Sequence, residues 1–439
     1  MEKKLYIETY GCQMNIADSD VIASVLSGTG HRLVKDPGEA GLILINTCSV
    51  RENAEQRVLN RLKQLRHLKK KNPGLIVGLA GCMAERLREK LFDTEDLIDI
   101  VAGPDSYRDL PSLVAEAASG KKAMNVQLSR CETYSDILPH SGHDGISAFI
   151  SITRGCNNMC SYCIVPYVRG AERSRNPESI LGEARMHFES GFREVTLLGQ
   201  NVDSYKWVSG NETIEFHALI AAVAGIDPRL RVRFTTSHPK DLSEELLKTM
   251  AEQNNICKHI HLPVQSGSSR ILRLMNREYT REDYMSRIEA IRRIIPECSV
   301  STDIISGFCT ETDEDHRETL SLMEWAGFDF AFMFRYSERP GTRAARKLRD
   351  DVPEEVKTKR LNEIISLQNS LSLRSKKNDL GKIHEVLVEG YSKRSKEDLT
   401  GRTSQNKVVV FPGDYRKRGD YVNVLIEKYT SATLKGRII

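Results

Sequence analysis

The sequence predicts an α/β protein of several domains: an N-terminal open parallel α/β domain, a central partial (β/α)6 barrel and a small C-terminal β-barrel. Strand-like and helical patterns alternate up to about residue 120 and again from about residue 146 to 340. Short strand-like runs with turn residues fill the last part of the chain. A length of 439 residues suits two or three domains.

The composition is that of a globular protein, with 40% apolar and 28% charged residues. No apolar run approaches the roughly 18 residues that a membrane span needs. The start, "MEKKLYIETY", has no apolar signal-peptide region. We therefore expect a cytoplasmic protein without membrane contact, in which the ten cysteines serve metal binding or catalysis rather than disulfides.

In the predicted N-terminal domain, residues 1–120, three strand-like runs each end at a cysteine. The runs are "KKLYIETY", "AGLILINT" and "GLIVGLA", and Cys12, Cys48 and Cys82 follow them. Helical patterns over 18–27, 51–71 and 83–92 come next, as in a parallel open sheet. Ligands of such sheets bind beyond the carboxyl ends of the strands. We call Cys12, Cys48 and Cys82 the strand-end triplet and expect them to lie close together.

Residues 121–145 are polar and weakly periodic and are predicted to be a linker, in which Cys131 has no assigned role. The central domain, 146–352, contains six strand candidates: "SAFISIT", "REVTLLG", "VRFTTS", "KHIHLPV", "SVSTDIIS" and "FDFAFMFRYS". Six β/α units are too few for a complete eight-stranded barrel. We therefore expect an open, partial barrel whose open side admits something large.

A connecting helix is predicted over 353–375, followed by a small β-barrel over 376–439 with strand runs "HEVLVEGY", "KVVVF" and "YVNVLIEKY". From Arg374 to the end there are 15 basic and 8 acidic residues, whereas the rest of the chain has a slight acidic excess. This imbalance indicates a polyanionic partner. The alternative is that the basic turn 393–396, with Lys393, Arg394 and Lys396, is only a solvated surface.

The stretch "GCNNMCSYC" places Cys156, Cys160 and Cys163 at the spacing C-x3-C-x2-C. We call these three cysteines the loop triplet. Thiolates are soft ligands that suit zinc or iron–sulfur clusters. No fourth cysteine is near, and His140, His143 and His187 are not at zinc-finger spacing. Three ligands on a four-iron cluster leave one iron open for chemistry; the alternative is a zinc loop that borrows a distant ligand.

The strand-end triplet allows a similar interpretation. A single buried cysteine is often only a small apolar residue. Three cysteines at equivalent strand ends, each in a Gly-Cys or Thr-Cys turn, are harder to assign to packing. The placement predicts a second open cluster.

The loop triplet, with Tyr162 before its last cysteine, resembles the radical S-adenosylmethionine (SAM) enzymes. Together with the strand-end triplet and the basic tail it resembles the methylthiotransferases over nearly the whole chain. The stretches "TYGCQMN", "NTCSVRENAEQR" and "RGCNNMCSYCIVPYVRGAERSR" are similar to the branch that makes 2-methylthio-N6-isopentenyladenosine in tRNA. The resemblance implies a radical SAM barrel in the centre and an oligonucleotide-binding (OB-like) RNA-binding TRAM domain at the C-terminus, where "GRTSQNKVVVF" matches the pattern.

What the resemblance implies is a radical SAM tRNA methylthiotransferase with two [4Fe-4S] clusters. One SAM would methylate a sulfide at the strand-end triplet, and a second SAM at the loop triplet would supply a radical. That radical would remove hydrogen from C2 of isopentenylated adenosine at tRNA position 37, where the methylthio group is inserted. Expected partners are tRNA, an electron-donor protein and proteins that deliver sulfur and clusters. The alternatives are a threonylcarbamoyladenosine or ribosomal-protein substrate, or a non-catalytic metal-bearing RNA-binding protein.

Other family-like stretches are less specific. "LLGQNVDSY" and "LPVQSGS" provide the predicted SAM-pocket residues, for which ordinary loop hydrogen bonding is the alternative; they are Gln200, Asn201, Gln265 and Ser266. In "GFCTET" this chain has Cys309 and Thr310 where the family has proline and glycine, so a different turn is expected. Three arginines near the loop triplet either hold the RNA backbone or pair with acids; they are Arg169, Arg173 and Arg175.

Overall fold

The computed structural model describes residues 3–49, 52–139, 145–413 and 415–439, and its N-terminal part is a parallel sheet between helices. The elements are β1 (Lys3–Thr9), α1 (Gln13–Ser27), β2 (His31–Leu33), β3 (Leu42–Thr47), α2 (Glu52–Lys71), β4 (Ile76–Gly81), α3 (Cys82–Leu87), α4 (Lys90–Thr94), β5 (Ile100–Ala102), α5 (Leu110–Ala118) and β6 (Ala123–Asn125). The strand order is β2-β1-β3-β4-β5-β6, with parallel pairing. Alternate strand residues belong to two apolar clusters, one on each face of the sheet, so helices cover both faces.

Three elements of this part differ from the sequence prediction. Helix α1 begins directly after Cys12, five residues earlier than expected. The helix predicted over 83–92 is broken into α3 and α4 at Arg88, whose φ is +51°. Strand β6 lies inside the predicted linker, because three weakly patterned residues become a strand only by pairing with β5. Arg51, where a helix was predicted to begin, lies outside the described residues, as do His140 and His143.

The central part contains all six predicted strands. Its elements are β7 (Ser147–Ser151), β8 (Thr153–Arg154), α6 (Val165–Arg169), β9 (Arg173–Ser174), α7 (Pro177–Glu189), β10 (Glu194–Leu198), β11 (Lys206–Ser209), β12 (Glu212–Glu215), α8 (Phe216–Ala224), β13 (Arg231–Thr235), α9 (Glu244–Glu252), β14 (His259–His261), α10 (Ser269–Leu274), α11 (Arg281–Ile294), β15 (Ser299–Ser306), α12 (Asp313–Ala326), β16 (Phe330–Arg335) and α13 (Arg343–Lys347). The orders β7-β10-β13 and β14-β15-β16 are parallel. A bridge between Val232 and Ile256 connects the two sheets, which gives an open barrel.

The two faces of this barrel differ in polarity. Alternate residues such as Ile150, Val195 and Ile260 belong to the large core beneath the outer helices. The residues between them point to the interior, and many are polar: Ser147, Ser151, Glu194, Thr196, Arg231, Arg233, His259, His261, Ser301 and Asp303. Full barrels fill their interior with branched apolar residues. Polar interior residues therefore need partners other than an apolar core.

The C-terminal part begins with the long helix α14 (Glu354–Lys377) and closes into a barrel. Its strands are β17 (Ile383–Tyr391), β18 (Asp398–Thr403), β19 (Val408–Pro412), β20 (Tyr421–Tyr429) and β21 (Leu434–Ile438), in the order β17-β18-β19-β21-β20. Strands β18 and β21 are short and partly polar, and the sequence prediction missed them. The predicted three-part α/β fold is confirmed. Among the described helices, none combines the length and apolarity needed to cross a bilayer.

The C-terminal barrel contacts the amino ends of the central strands. Arg231, the first residue of β13, donates to Arg402 O at 2.8 Å, and Arg233 donates to Thr403 O at 2.8 Å. Ser299, the first residue of β15, donates to Gln405 O at 2.7 Å. The carboxyl ends of the same strands, where barrel active sites lie, are therefore left to other parts of the chain.

Candidate active site

The loop triplet lies between β8 and α6, at the carboxyl end of the first barrel strand. Gly155, directly before Cys156, has a φ of +77°, and a Cβ there would lie 2.1 Å from Ala171 O. Only glycine fits such an approach. The Cys163 N–H donates to Cys160 O at 3.0 Å, which closes a tight turn. The backbone thus folds the three cysteines into one compact loop.

Each sulfur of the loop triplet receives an N–H group. Arg277 Nη1 donates to Cys160 Sγ at 3.2 Å, Val165 N donates to Cys163 Sγ at 3.4 Å, and a backbone N–H reaches Cys156. Burial raises the pKa of Cys156 to about 11 and that of Cys163 to about 12. Thiols in this state stay protonated until a metal supplies positive charge. Donors aimed at cysteine sulfurs suit an iron–sulfur cluster.

The strand-end triplet comes together at the ends of three neighbouring strands. Cys12 precedes the first residue of α1, Cys48 directly follows β3, and Cys82 is the first residue of α3. Gly11 has a φ of +133°, and a Cβ on it would lie 2.5 Å from Cys48 Cβ. Gly81 likewise has a φ of +92° before Cys82. Glycine before two of these cysteines is what lets the turns close on one another.

The electrostatics of the strand-end triplet are uneven. A hydrogen bond from the Cys48 thiol, with the Arg169 charge acting in the same direction, lowers the pKa of Cys12 to about 6. Burial raises the pKa of Cys82, although Arg169 opposes this. Cys48 and Cys82 are buried, whereas Cys12 is exposed. The open side of the triplet is therefore at Cys12.

A buried group of ions joins the N-terminal and central domains beside this triplet; we call Asp18, Asp105, Arg154, Arg169 and Arg173 the buried ion cluster. Asp18 accepts from Arg154 Nη1 and from Arg169 Nη2, each at 2.8 Å. Asp105 lies 2.7 Å from Arg173 Nη1 and 3.7 Å from Arg154 Nε. Burial acts to raise the pKa of Asp18, but the two arginine charges hold it below its ordinary value.

These contacts decide between the two interpretations of the arginines near the loop triplet. Arg169, Arg173 and Arg175 are only 3%, 7% and 4% exposed. Arg175 pairs with Glu183 on α7, and the other two belong to the buried ion cluster. They pair with acids inside the protein, so they are not available to phosphates of an RNA backbone.

The two triplets are neighbours across the domain interface. Helix α3, which begins at Cys82, packs on α6, which begins two residues after Cys163. Cys82, Ile164 and Val168 form one apolar cluster. Met14 and Ala17 of α1 also pack against Leu198, the last residue of β10, and against Phe149 of β7. Both triplets therefore lie beside the same end of the barrel interior.

The predicted SAM-pocket residues lie at the carboxyl ends of β10 and β14. Asn201 is buried and donates to Asp241 Oδ2 at 2.7 Å, while its Oδ1 has no hydrogen-bond partner among the described residues. Gln265 is buried with a φ of +71°. Ser266 Oγ lies 3.4 Å from Thr319 Oγ1, which matches the alternative of loop hydrogen bonding. Gln200 is half-buried next to Asn201. Their SAM role remains a prediction.

The interior face of the last strands carries an aromatic wall. Phe330 and Phe332 on β16 are paired in register with Ser301 and Asp303 on β15, so they share the interior face. Their rings are 4.9 Å apart, and Phe332 meets the ring of His261 edge-on at 5.8 Å. Both phenylalanines are about half exposed. Exposed aromatic rings in a polar cavity offer a surface for an apolar group.

Cys309 is fully buried in an apolar cluster with Phe308 and Tyr336, which fits a spectator role. In the same "GFCTET" turn Thr310 has a φ of +63°, the left-handed conformation that glycine adopts most readily. Arg270 Nη2 donates to Thr310 O at 2.6 Å, which helps to hold that conformation despite the β-branched side chain.

The donor set fits clusters better than a single ion. Within the described ranges, no three His, Cys, Asp or Glu side chains converge closely enough to hold one metal ion. The thiolates of a four-iron cluster bind different irons and do not have to converge on one point. No sequence pattern predicted a role for Arg277, which is buried and 117 residues from the cysteine it contacts. None predicted a role for Asp18 either, because nothing in the local sequence marks a partner 136 or 151 residues away.

Three parts of the chain match known families. Residues 150–323 match the Radical SAM superfamily, residues 377–439 match the TRAM domain, and residues 4–103 match an uncharacterised protein family designated UPF0004. The strand-end triplet lies within the last of these matches and the loop triplet within the first.

Relatives with curated names resemble the chain over nearly its full length. A Bacteroides fragilis protein is 58% identical over 99% of this chain and 95% of its own. A Porphyromonas gingivalis protein is 57% identical over 100% of this chain and 95% of its own, and an Amoebophilus asiaticus protein is 55% identical over 99% and 92%. All three are named tRNA-2-methylthio-N(6)-dimethylallyladenosine synthase.

Solved structures support the fold. The radical S-adenosylmethionine methyltransferase TsrM from Kitasatospora setae, solved with cobalamin and a [4Fe-4S] cluster, superposes with a TM-score of 0.57 at 14% identity, over 79% of this chain and 77% of that chain. The cobalamin-dependent radical enzyme OxsB gives a TM-score of 0.55 at 13% identity, over 83% and 56%. At these identities the likeness concerns the fold alone.

Proposed function

This chain belongs to the family of tRNA-2-methylthio-N(6)-dimethylallyladenosine synthases, and from that premise we propose that it is a radical SAM tRNA methylthiotransferase. Its proposed substrate is N6-isopentenyladenosine at tRNA position 37, which gains a methylthio group at C2. The observation that carries the proposal is the pair of three-cysteine sets that meet at one end of a polar barrel interior. The same arrangement disfavours a non-catalytic binding protein, which has no use for two open sites.

The radical SAM domain implies one [4Fe-4S] cluster and SAM, and we propose that Cys156, Cys160 and Cys163 hold that cluster. We propose a second cluster on Cys12, Cys48 and Cys82. When bound, the first cluster and SAM would together supply a 5′-deoxyadenosyl radical, and the second cluster would supply the inserted sulfur.

The protein's own side chains would hold and shield these groups. Arg277 and Val165 donate to sulfurs of the loop triplet, and Arg169 donates to Cys82 Sγ of the strand-end triplet. Packing of α3 on α6 fixes the distance between the two cysteine triplets, because both helices belong to buried apolar clusters. Rigid placement of two reacting centres is the main contribution that a protein makes to cofactor chemistry.

Recognition of the substrate base is proposed to use the barrel interior. The target base must leave the anticodon-loop stack to reach it. The aromatic wall formed by Phe330 and Phe332 suits the apolar prenyl chain, while His261 and Asp303, whose Nε2 and Oδ1 lie 3.3 Å apart, offer polar groups to the base. This apolar wall favours an isopentenyl substrate over a polar threonylcarbamoyl group. The names of the relatives favour it as well.

The partners follow from this proposal. tRNA is the expected macromolecular ligand, and the exposed basic turn 393–396 of the TRAM domain offers positive charge to its phosphates. An electron-donor protein and proteins that deliver sulfur and clusters are also proposed, because the radical chemistry needs an electron and the methylthio group needs a sulfur atom. We propose a cytoplasmic location, where such partners and tRNA meet.

The activity is tested by mass spectrometry of nucleosides from tRNA that is isopentenylated but lacks methylthiolation. The tRNA is treated anaerobically with reconstituted protein, SAM and a strong reductant. Formation of 2-methylthio-N6-isopentenyladenosine is expected. Release of 5′-deoxyadenosine without modified nucleoside would retain radical chemistry but refute the substrate. If intact clusters gave neither product, the proposed enzyme function would be wrong.

The aromatic wall is tested with Phe332→Ala. We expect KM for isopentenylated tRNA to rise at least several-fold, because the variant loses apolar contact with the prenyl chain. Leu373→Ala removes a similarly exposed apolar side chain on α14 and serves as the control. Equal kinetics for the two variants would show that the wall does not contact the substrate.

A further inference from the structure

Arg169 connects the central domain to the strand-end triplet. It is the last residue of α6, only 3% exposed, and its Nε donates to Cys82 Sγ at 3.2 Å. Its Nη2 donates to Asp18 at 2.8 Å. The side chain therefore crosses the domain interface and meets a sulfur of a triplet that belongs to the other domain.

One donor of this guanidinium is left over. Arg169 Nη1 is buried and has no hydrogen-bond partner among the described residues. A buried donor without a partner is costly, and more so when it belongs to a charged group. A ligand that reaches this end of the guanidinium would complete its hydrogen bonds. Because Nε of the same planar guanidinium already contacts Cys82 Sγ, the completing ligand is expected at the strand-end triplet.

The net charge of the buried ion cluster also indicates an anionic ligand at the strand-end triplet. The buried ion cluster holds three guanidinium groups and two carboxylates, so it has one positive charge in excess. The nearby carboxylate of Glu85 is itself paired with Arg88 at 2.8 Å. A buried positive charge needs an anionic partner. Three thiolates outweigh the charge of an oxidised four-iron core, so a cluster assembled on the strand-end triplet would be such an anion.

We propose that Arg169 is a positioning residue that sets the reduction potential of the cluster at the strand-end triplet. Nε would donate to the Cys82 thiolate, and Nη1 would be available to a further anionic group of the loaded site. A reduced cluster carries one more negative charge than an oxidised one, so the guanidinium favours the reduced form and raises the potential. The inference rests on the proposed second cluster, and it assigns that cluster's electronic tuning to the radical SAM domain.

The test isolates the second cluster by replacing all three cysteines of the loop triplet with alanine. EPR-monitored reductive titration of that protein then reports on the strand-end cluster alone. In this background Arg169→Gln, which removes the charge, is expected to lower the potential. At a fixed potential the reduced-to-oxidised ratio should fall at least tenfold, which is about 59 mV for one electron. Arg169→Lys keeps the positive charge but lacks the planar set of N–H donors of a guanidinium. Its reduction potential should lie between those of the parent protein and Arg169→Gln.

Arg173→Lys is the matched control, since Arg173 is also a buried interface arginine and has no recorded contact with a cysteine in the described part of the chain. Its potential should stay within the error of the parent protein. Equal shifts for Arg169 and Arg173 variants, or no shift for either, would overturn the proposal. If the parent protein binds no iron, the second cluster and thus the proposed function fail instead.

Discussion

Asp18→Asn is expected to weaken the interface between the N-terminal and central domains by about 3–5 kcal/mol. The side chain is buried, and one carboxylate serves both Arg154 and Arg169. Asparagine keeps the shape but removes the charge, which leaves two guanidinium groups without their shared counter-ion. Removing one partner of a buried ion pair costs more than the pair itself contributes, because the remaining charge stays desolvated.

The assay is hydrogen exchange of the α1 amides, followed by mass spectrometry of the anaerobic holoprotein. A loss of 3–5 kcal/mol corresponds to exchange that is roughly 100- to 4,000-fold faster if α1 exchanges through opening of this interface. Strand β20, which lies in the C-terminal barrel, provides an internal reference that should not change.

The control is Asp136→Asn, which breaks an exposed ion pair with Arg108. Exposed pairs of this kind contribute about 0–1 kcal/mol, so exchange should change less than tenfold. If Asp18→Asn accelerated exchange no more than Asp136→Asn, the buried ion cluster would not hold the domains together. The reasoning from burial and shared charge would then be refuted.

Three further outcomes are expected. Gly155→Ala should remove about half of the bound iron, because a Cβ would lie 2.1 Å from Ala171 O. Gly182→Ala should keep the iron, because a Cβ there meets nothing within 4 Å. Elemental analysis of iron distinguishes the two variants. Burial lowers the pKa of His238 to about 2, so the unfolded chain alone takes up a proton below pH 6.5. Unfolding free energy should thus fall by about 1.4 kcal/mol more in the parent than in His238→Gln between pH 7.5 and 5.5, as measured by urea unfolding. Thr310→Gly should stabilise the protein by about 0.5–1 kcal/mol in the same assay. The reason is that relief of about 1–2 kcal/mol of left-handed backbone strain exceeds the entropy cost of glycine. A loss of stability would contradict this.

The sequence by itself determined the order of the three parts and the two cysteine sets. Periodicity identified all six central strands, because strands buried beneath helices need apolar residues at alternate positions. The Gly-Cys turns at Cys12, Cys82 and Cys156 were visible for a similar reason: a positive φ and a close approach leave glycine as the fitting residue. Local steric and hydrophobic rules act between near neighbours, so a linear pattern records them.

Only the tertiary structure decided which charged groups meet. The arginines after the loop triplet had two interpretations from sequence. The partners of Arg169 and Arg173, which are Asp18 and Asp105, are more than 60 residues away. Arg277 reaches Cys160 across 117 residues, and strand β6 exists only through pairing with β5. Coulomb attraction and strand pairing depend on distance in space and carry no sequence period. The cysteine sites can therefore be recognised from local sequence. The charged residues that surround them are brought there only when one domain packs against another.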